Sequence, residues 1–319
     1  MIEADARWLA AAACLAEHAR PLSRPNPAVG AILVNDGIVV GRGWTGAGGR
    51  PHAEAVALEQ AGEAVRGATL YVTLEPCAHK SERGPACADL LVAAQIGRAV
   101  IGVGDPDPRT MGAGSARLKE AGIQVTLTES PTCRDSLAGY LTRARAKRPF
   151  VTLKLALTAD GFIARPDGTS RWITGEAARA HVHRERARSD AILVGGATLR
   201  ADSPRLDVRL PGLKDRSPPR FVLTKGAAAP GWTALSAPAA IGDIDAQYLL
   251  VEGGAEVADA FLSARLVDRI MLYRAPVEFG DGIPAFRNAG PLGIPEGWRL
   301  DDRRQLGSDT LEVYTPAQS

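Results

Sequence analysis

Cysteine is scarce in this sequence, with four in 319 residues, at positions 14, 77, 87 and 133. A secreted domain stapled by disulfides uses many more, so a reducing compartment and a metal or catalytic role for some of the four are expected. The cytoplasm is the default location. Long apolar runs are missing too, and no stretch approaches the roughly 18 residues that a membrane span needs. The opening Met1-Ile2-Glu3-Ala4-Asp5 turns acidic at once, unlike a secretory signal. Neither sign of charge dominates. Lys and Arg number 38 against 36 Asp and Glu, a net charge of +2, which argues against the clustered basic face of a nucleic-acid binder. The densest basic run, Arg143, Arg145, Lys147 and Arg148, reads as a solvated helix end beside a linker.

What remains is an ordinary globular composition, 45% hydrophobic and 23% charged, in a chain long enough for two domains. Trp8, Ala12, Leu15 and Ala19 share a helical face. Apolar runs at 29–34 and 38–41 flank Asn35-Asp36-Gly37, a hairpin signal. Helices are expected over 52–61, 87–94 and 115–121, with strands over 68–74, 99–103 and 123–127. That order implies a mixed sheet with helices on both faces. After a basic linker near 147–150, a second α/β system begins. It has strands at 151–157, 191–194, 220–223, 248–251 and 269–273, and helices at 176–188 and 255–264. Ala227 to Pro238, rich in small residues, reads as a loop. The boundary is placed between 147 and 148, giving domains 1–147 and 148–319.

Chemistry concentrates in the first half. His52-Ala53-Glu54 opens a helix, Glu75-Pro76-Cys77 follows a buried strand, and Cys87 starts another helix. One imidazole and two thiolates suit zinc and leave its fourth tetrahedral position for water. Helix starts lower thiol pKa, which favours thiolate ligands. Glu54, two residues from a ligand, can carry protons between that water and a leaving amine. Zinc deaminases of nucleobases carry His-x-Glu and Pro-Cys-x-x-Cys; here nine residues separate the cysteines. A closed structural zinc site with His79 as fourth ligand is the competing reading, but it has no use for Glu54. His79 is expected to face the substrate or steady the cysteine loop. Cys14 and Cys133 read as small apolar fillers. Lys154, inside an apolar strand, is the residue hardest to explain structurally, because buried lysines are rare unless paired.

The whole chain resembles one family, the bifunctional deaminase–reductase of riboflavin biosynthesis. The resemblance rests on Pro25-Asn26-Pro27-Ala28-Val29-Gly30, His52-Ala53-Glu54, the run from Thr69 to His79, and Gly104-Asp105-Pro106-Asp107-Pro108. It continues through Val151 to Gly161, Ser170-Arg171-Trp172-Ile173-Thr174, Asp190 to Gly195, Asp202 to Arg209 and Val251-Glu252-Gly253-Gly254-Ala255. It implies a cytidine-deaminase-like three-layer α/β domain followed by a dihydrofolate-reductase-like domain. The first would deaminate a diamino-pyrimidinone carrying a ribosylamino phosphate, and the second would reduce the ribosyl chain to ribityl with NADPH. The partners are then phosphorylated pyrimidines, with no nucleic acid and no membrane. The oligomeric state stays open, a homo-oligomer included.

By resemblance, His52, Cys77 and Cys87 bind Zn²⁺, Glu54 is catalytic, Asn26 holds the deaminase substrate and Arg83 meets its phosphate. Lys154, Ser170, Arg186, Leu206, Arg209 and Glu252 match reductase substrate positions. Ala156, Trp172, Thr198, Asp202, Gly253, Gly254 and Ala255 match cofactor positions. Without the resemblance, Arg186 and Arg209 read as surface charges and Trp172 as core. Three departures stand out: Thr45 where the family often has histidine, a longer cysteine loop, and a short stretch between Thr224 and Gln247. No Gly-x-Gly-x-x-Gly occurs in the second half, so NADPH cannot sit there on an ordinary Rossmann turn. The runner-up is a single-activity nucleobase or nucleoside deaminase with a non-catalytic C-terminal domain.

Overall fold

A computed structural model describes residues 3–79, 83–170, 172–287 and 294–317. The chain divides into two compact units, Met1–Lys147 and Arg148–Ser319. In the first, α1 (Glu3–Ala16) precedes a hairpin of β1 (Gly30–Asn35) and β2 (Ile38–Trp44). Asn35 pairs with Ile38, and the two loop residues Asp36 and Gly37 both take positive φ, 49° and 78°. That is the left-handed pair a tight hairpin demands. There follow α2 (Ala53–Ala61), β3 (Thr69–Leu74), α3 (Cys87–Ala93), β4 (Arg98–Val103), α4 (Ala113–Glu120), β5 (Gln124–Leu127), α5 (Pro131–Ser136) and α6 (Ala138–Ala146).

The sheet runs β2-β1-β3-β4-β5. It is antiparallel across β2, β1 and β3 and parallel from β3 to β5, as the order of elements predicts. Leu9 of α1, Ala57 of α2, Leu91 of α3 and Cys133 of α5 are fully buried with Leu33, Leu70 and Ile101 of the sheet. Cys133 is thus the filler expected, whereas Cys14 is exposed: it lies on the outer side of α1, whose buried positions are Asp5, Leu9, Ala12, Ala13 and Ala16.

The segment Gly41-Arg42-Gly43-Trp44-Thr45-Gly46 has dinucleotide-motif spacing, yet its glycines serve packing. A Cβ on Gly41 would lie 2.1 Å from the Ala57 carbonyl oxygen, and one on Gly43 would lie 2.4 Å from that of Ala53. Helix α2 can therefore lie directly on β2.

The second unit contains β6 (Phe150–Leu157), β7 (Phe162–Ala164), α7 (Glu176–Ala187), β8 (Ala191–Gly195), α8 (Gly196–Asp202), β9 (Arg220–Leu223) and β10 (Thr233–Leu235). It continues with β11 (Tyr248–Glu252), α9 (Ala255–Ser263), β12 (Arg269–Arg274), β13 (Ile283–Pro284), β14 (Trp298–Leu306) and β15 (Asp309–Pro316). The main sheet runs β10-β9-β8-β11-β6-β12-β15-β14, and β13 pairs with β7. Strands β10 to β12 are parallel, and β15 and β14 close the edge antiparallel.

Several sequence expectations need correction. The stretch 227–238 contains β10, whose Leu235 is buried. The run at 143–148 ends α6 with Lys147 left-handed, but Arg148 is not simply solvated. Its guanidinium grips Asp268 at 2.6 and 2.8 Å, and Asp268 also accepts the Val151 N–H. Among the described residues no helix is long and apolar enough to cross a membrane.

One buried ion pair ties α1 to the first sheet. Arg98 donates to both oxygens of Asp5, at 3.0 and 2.8 Å, and Tyr71 adds a third hydrogen bond at 3.1 Å. The Arg98 hydrogen bond holds the Asp5 carboxyl below its ordinary 3.8. This contribution is complete above pH ~4 and fades as pH falls through the folded-state value. Asp5→Ala should cost about 3 kcal/mol at pH 7, because Arg98 loses its counter-charge. Urea midpoints of the full chain should converge toward the parent at pH ~3; an unchanged gap there would refute the assignment.

Candidate active sites

In the first unit, β3 ends at Leu74 and the chain turns through Glu75-Pro76 into Cys77. Glu75 is buried, and its carboxylate accepts N–H bonds from Gly112 (3.0 Å), Ser115 (2.8 Å) and Asp105 (3.3 Å). The start of α4 is thereby pinned beside the metal loop. A Cβ on Gly114 would sit 2.0 Å from the Pro76 carbonyl oxygen, so only glycine allows that approach. Cys87, the first residue of α3, donates its backbone N–H to Cys77 Sγ at 3.3 Å, and His52 stands just outside α2 at its N-cap position, its side chain turned to the cysteines and not to the helix amides.

The three donors converge. Their ligand atoms lie within 4.8 Å of one another. His52 Nδ1 is 3.2 Å from Cys87 Sγ and 3.6 Å from Cys77 Sγ. Tetrahedral zinc with ordinary bond lengths sets nitrogen and sulfur about 3.6 Å apart, so the donor set fits that ion. The hydrogen bond from the Cys87 thiol favours Cys77 as thiolate, while the same bond and burial push Cys87 up. The pair thus shares a proton that a divalent cation displaces. Among the described residues no fourth His, Cys, Asp or Glu joins the group. His79 lines the same cleft 3.4 Å from Thr110 Oγ1.

Glu54 is 4% exposed, and burial pushes its carboxyl upward, opposed by the neighbouring His52. A carboxyl so raised exchanges a proton near neutrality more readily than an exposed one. Asn26 Nδ2 lies 2.9 Å from the Gly49 carbonyl oxygen and 3.1 Å from His52 Nε2. Thr45, the departure from the family pattern, is buried and accepts the Val29 N–H at 3.0 Å. A cleft of about 230 Å³ opens above these groups, lined also by Arg50, Arg83, Asp105 and Arg109. Arg83 donates to the Gly48 carbonyl oxygen at 2.6 Å. Arg50 and Arg109 had no signal of their own in the sequence, because nothing in their spacing links them to His52, whereas Asp105 lies in the Gly104 to Pro108 run that carries the resemblance, without a role of its own there.

In the second unit three of the predicted residues, Lys154, Arg186 and Glu252, come together where the parallel strand β11 ends, the kind of place where open α/β sheets bind ligands. Glu252 ends β11. Arg186 of α7 grips it at 2.6 and 2.9 Å, and Lys154 Nζ of β6 lies 3.6 Å away. Despite its burial, Glu252 is held down to about 2, by Lys154 first and then Arg186. Lys154 is thereby explained as a paired buried cation. Arg186, a surface charge on sequence grounds alone, is in fact largely enclosed, whereas Arg209 is exposed and pairs with Asp207 at 2.9 Å. Leu206 is buried with φ of 53°.

Trp172, read as core from sequence alone, is 72% exposed with the Arg179 guanidinium 5.2 Å from its ring centre. Ser170 beside it is half-buried, and Arg171 lies outside the described residues. Ala156 follows Lys154 on the same side of β6, packed against the cluster of Met271 and Tyr273. Thr198 and Asp202 lie on α8.

Gly253 and Gly254 lead into α9 at Ala255. A Cβ on Gly253 or Gly195 would come within 2.7 or 2.5 Å of Val257, whereas at Gly254 the nearest atom is 4.0 Å away. Helix α9 thus sits tight on the strand ends with its first backbone amides uncrowded. That cradle suits a dinucleotide phosphate.

Comparison with known proteins bears on both units. The family model "Cytidine and deoxycytidylate deaminase zinc-binding region" matches residues 2–103, and "RibD C-terminal domain" matches 149–235 and 239–311. The riboflavin biosynthesis protein RibD of Escherichia coli is 37% identical, covering 96% of this chain and 97% of that protein. Its Haemophilus influenzae counterpart is 34% identical over 98% and 97%. A solved Acinetobacter baumannii RibD superposes with a TM-score of 0.86 at 32% identity, covering 100% of both chains. A Thermotoga maritima structure titled as a diaminohydroxyphosphoribosylaminopyrimidine deaminase/5-amino-6-(5-phosphoribosylamino)uracil reductase gives 0.87 at 30%, over 98% and 99%. The match across residues 149–311 disfavours a lone deaminase with an idle second half. This chain belongs to the RibD family of bifunctional riboflavin-biosynthesis enzymes, a zinc-dependent deaminase joined to an NADPH-dependent reductase.

Proposed function

We propose that the first unit hydrolyses the ring amine of 2,5-diamino-6-(5-phosphoribosylamino)pyrimidin-4-one and the second reduces the ribosyl chain of the product to ribityl. The observation that carries this is the convergence of His52, Cys77 and Cys87 beside buried Glu54 on the floor of one cleft. When bound by these three residues, zinc supplies the Lewis acidity that makes water a nucleophile near neutral pH. Glu54 takes a proton from the attacking water and returns it to the departing nitrogen. The carbon–nitrogen bond breaks, a ring carbonyl forms and ammonia leaves. Asn26, fixed between Gly49 and His52, holds the pyrimidine edge, and Arg83 at the mouth meets the phosphate.

In the second unit NADPH, when bound, supplies the hydride. Ala156, Trp172, Thr198, Asp202 and the turn Gly253-Gly254-Ala255 hold it. Ser170, Arg186, Leu206, Arg209 and Glu252 hold the substrate. Lys154, anchored by Glu252, presents its ammonium to the sugar hydroxyls as a proton-bearing group. The two units are proposed to fold as separate domains meeting at Lys147 and Arg148.

Glu54→Ala should retain one zinc per chain yet lose deamination by about 10²- to 10⁴-fold, whereas Cys87→Ala should lose both, as read by elemental analysis and ammonia release. Full zinc in the Cys87 variant would remove it from the ligand set. Supplied with the diamino-pyrimidinone phosphate, the parent should release ammonia without NADPH and consume NADPH only afterwards. Ammonia with no NADPH oxidation would sink the reductase assignment. Limited proteolysis should cut between 147 and 150; a digest that spares this segment contradicts the domain boundary.

A further inference from the structure

Helix α7 carries a second polar side chain on the face that holds Arg186. His183 lies three residues before Arg186, so the two are neighbours on the helix surface. Arg186 directs two of its nitrogens to Glu252, and the third, Nη1, donates to the backbone carbonyl of Asp207 at 3.1 Å. His183 Nδ1 reaches the same carbonyl oxygen, also at 3.1 Å. A carbonyl oxygen only accepts, so Nδ1 carries the hydrogen, and both lone pairs of that oxygen are engaged.

Asp207 stands in the stretch 203–209, which follows α8 and is neither helix nor strand. Two residues of that stretch, Ser203 and Leu206, have φ of 43° and 53°. Residues other than glycine keep this left-handed conformation only where their surroundings hold them in it. On one side of Asp207 the Leu206 side chain is buried with Ile192, Val194 and Leu250 of the sheet. On the other side the Val208 N–H donates to Ser217 Oγ at 2.9 Å. The Asp207 carboxylate accepts from Arg209 Nε at 2.9 Å, with Arg205 3.7 Å away. Asp207 is therefore a hub, fixed through its carbonyl by α7 and orienting Arg209 through its side chain.

We propose that His183 is a positioning residue of the reductase site, which through Asp207 holds the stretch from Leu206 to Arg209 in the shape that meets the phosphorylated substrate. This rests on the reading of Leu206 and Arg209 as substrate-holding residues and adds the residue that places them. Bound to a carbonyl, Nδ1 keeps its hydrogen whether or not Nε2 is protonated, so the contact acts by geometry and not by charge.

Steady-state kinetics on the full-length protein, following NADPH oxidation with the deaminated pyrimidine phosphate, test the proposal. His183→Leu keeps the bulk of the side chain and removes the donor. It should raise KM for that substrate roughly fivefold, the loss of one hydrogen bond, and leave kcat and the NADPH dissociation constant within about twofold. His183→Asn sets an amide N–H where Nδ1 stands and should recover most of the loss. Combined with Arg209→Ala, His183→Leu should add less than its own single effect, because an absent side chain needs no placing. An unchanged KM in His183→Leu beside a raised KM in Arg209→Ala would overturn the tether and leave the reductase reading standing. So would effects that simply multiply, no recovery in His183→Asn, or equal weakening of NADPH and substrate, which marks a mere support of the fold. A parent that oxidises no NADPH with this substrate would instead overturn the reductase reading on which the tether stands.

Discussion

The Glu75 carboxylate decides the geometry of the deaminase half. It sits where β3 runs out, two residues before a metal ligand, and gathers backbone N–H groups from Asp105, Gly112 and Ser115. A charged acceptor holding three donors in a buried place is both strong and hard to replace. Through it the β4–α4 connection is fastened to the Pro76-Cys77 turn, and Gly114 lets the two backbones touch. Cys77 is then steadied from the other side by the first N–H of α3. Zinc ligands need a supporting layer to keep their orientation. Here much of that layer is main chain, so it persists through side-chain substitution around the cleft.

Much of this was legible in the residues. The Asp36-Gly37 turn and the alternation after it fixed the hairpin and the mixed sheet. His52, Cys77 and Cys87 were singled out by donor chemistry together with the His-x-Glu and Pro-Cys pattern, and the fold brings their ligand atoms within 4.8 Å of one another. Other features were opaque for definite reasons. Strand β14, with most positions exposed, lacks the apolar alternation that marks a half-buried strand, and it gains its place only by pairing with β15. Trp172 misleads because aromatic residues are usually interior, and only tertiary packing puts this one outside. Arg50 and Arg109 enter the cleft from separate loops, a proximity that no local pattern encodes. Glu75 gave no sign of its role, since its three donors come from sequence 30 to 40 positions away.

The reductase half solves a related problem by different means. Its central strands set Lys154 of β6 in register beside Glu252 of β11 and carry Gly195 and Gly253 at or just past strand ends, and α7 reaches over with Arg186. Where the first unit leaves its ligand-bearing groups to be neutralised by a metal, the second pairs its charges internally. Glu252 stays ionised across the whole physiological range because two cations flank it.

Lys154 and Arg186 flank Glu252, and the Asp207 charge reaches Arg186 as well. Charges held together away from bulk water carry a desolvation cost that their mutual attraction only partly offsets. A ligand that adds hydrogen bonds to this cluster binds the folded state and not the unfolded chain, so occupancy and the cohesion of this half of the molecule are thermodynamically linked. The reductase half should consequently be harder to unfold when its site is filled than when it is empty.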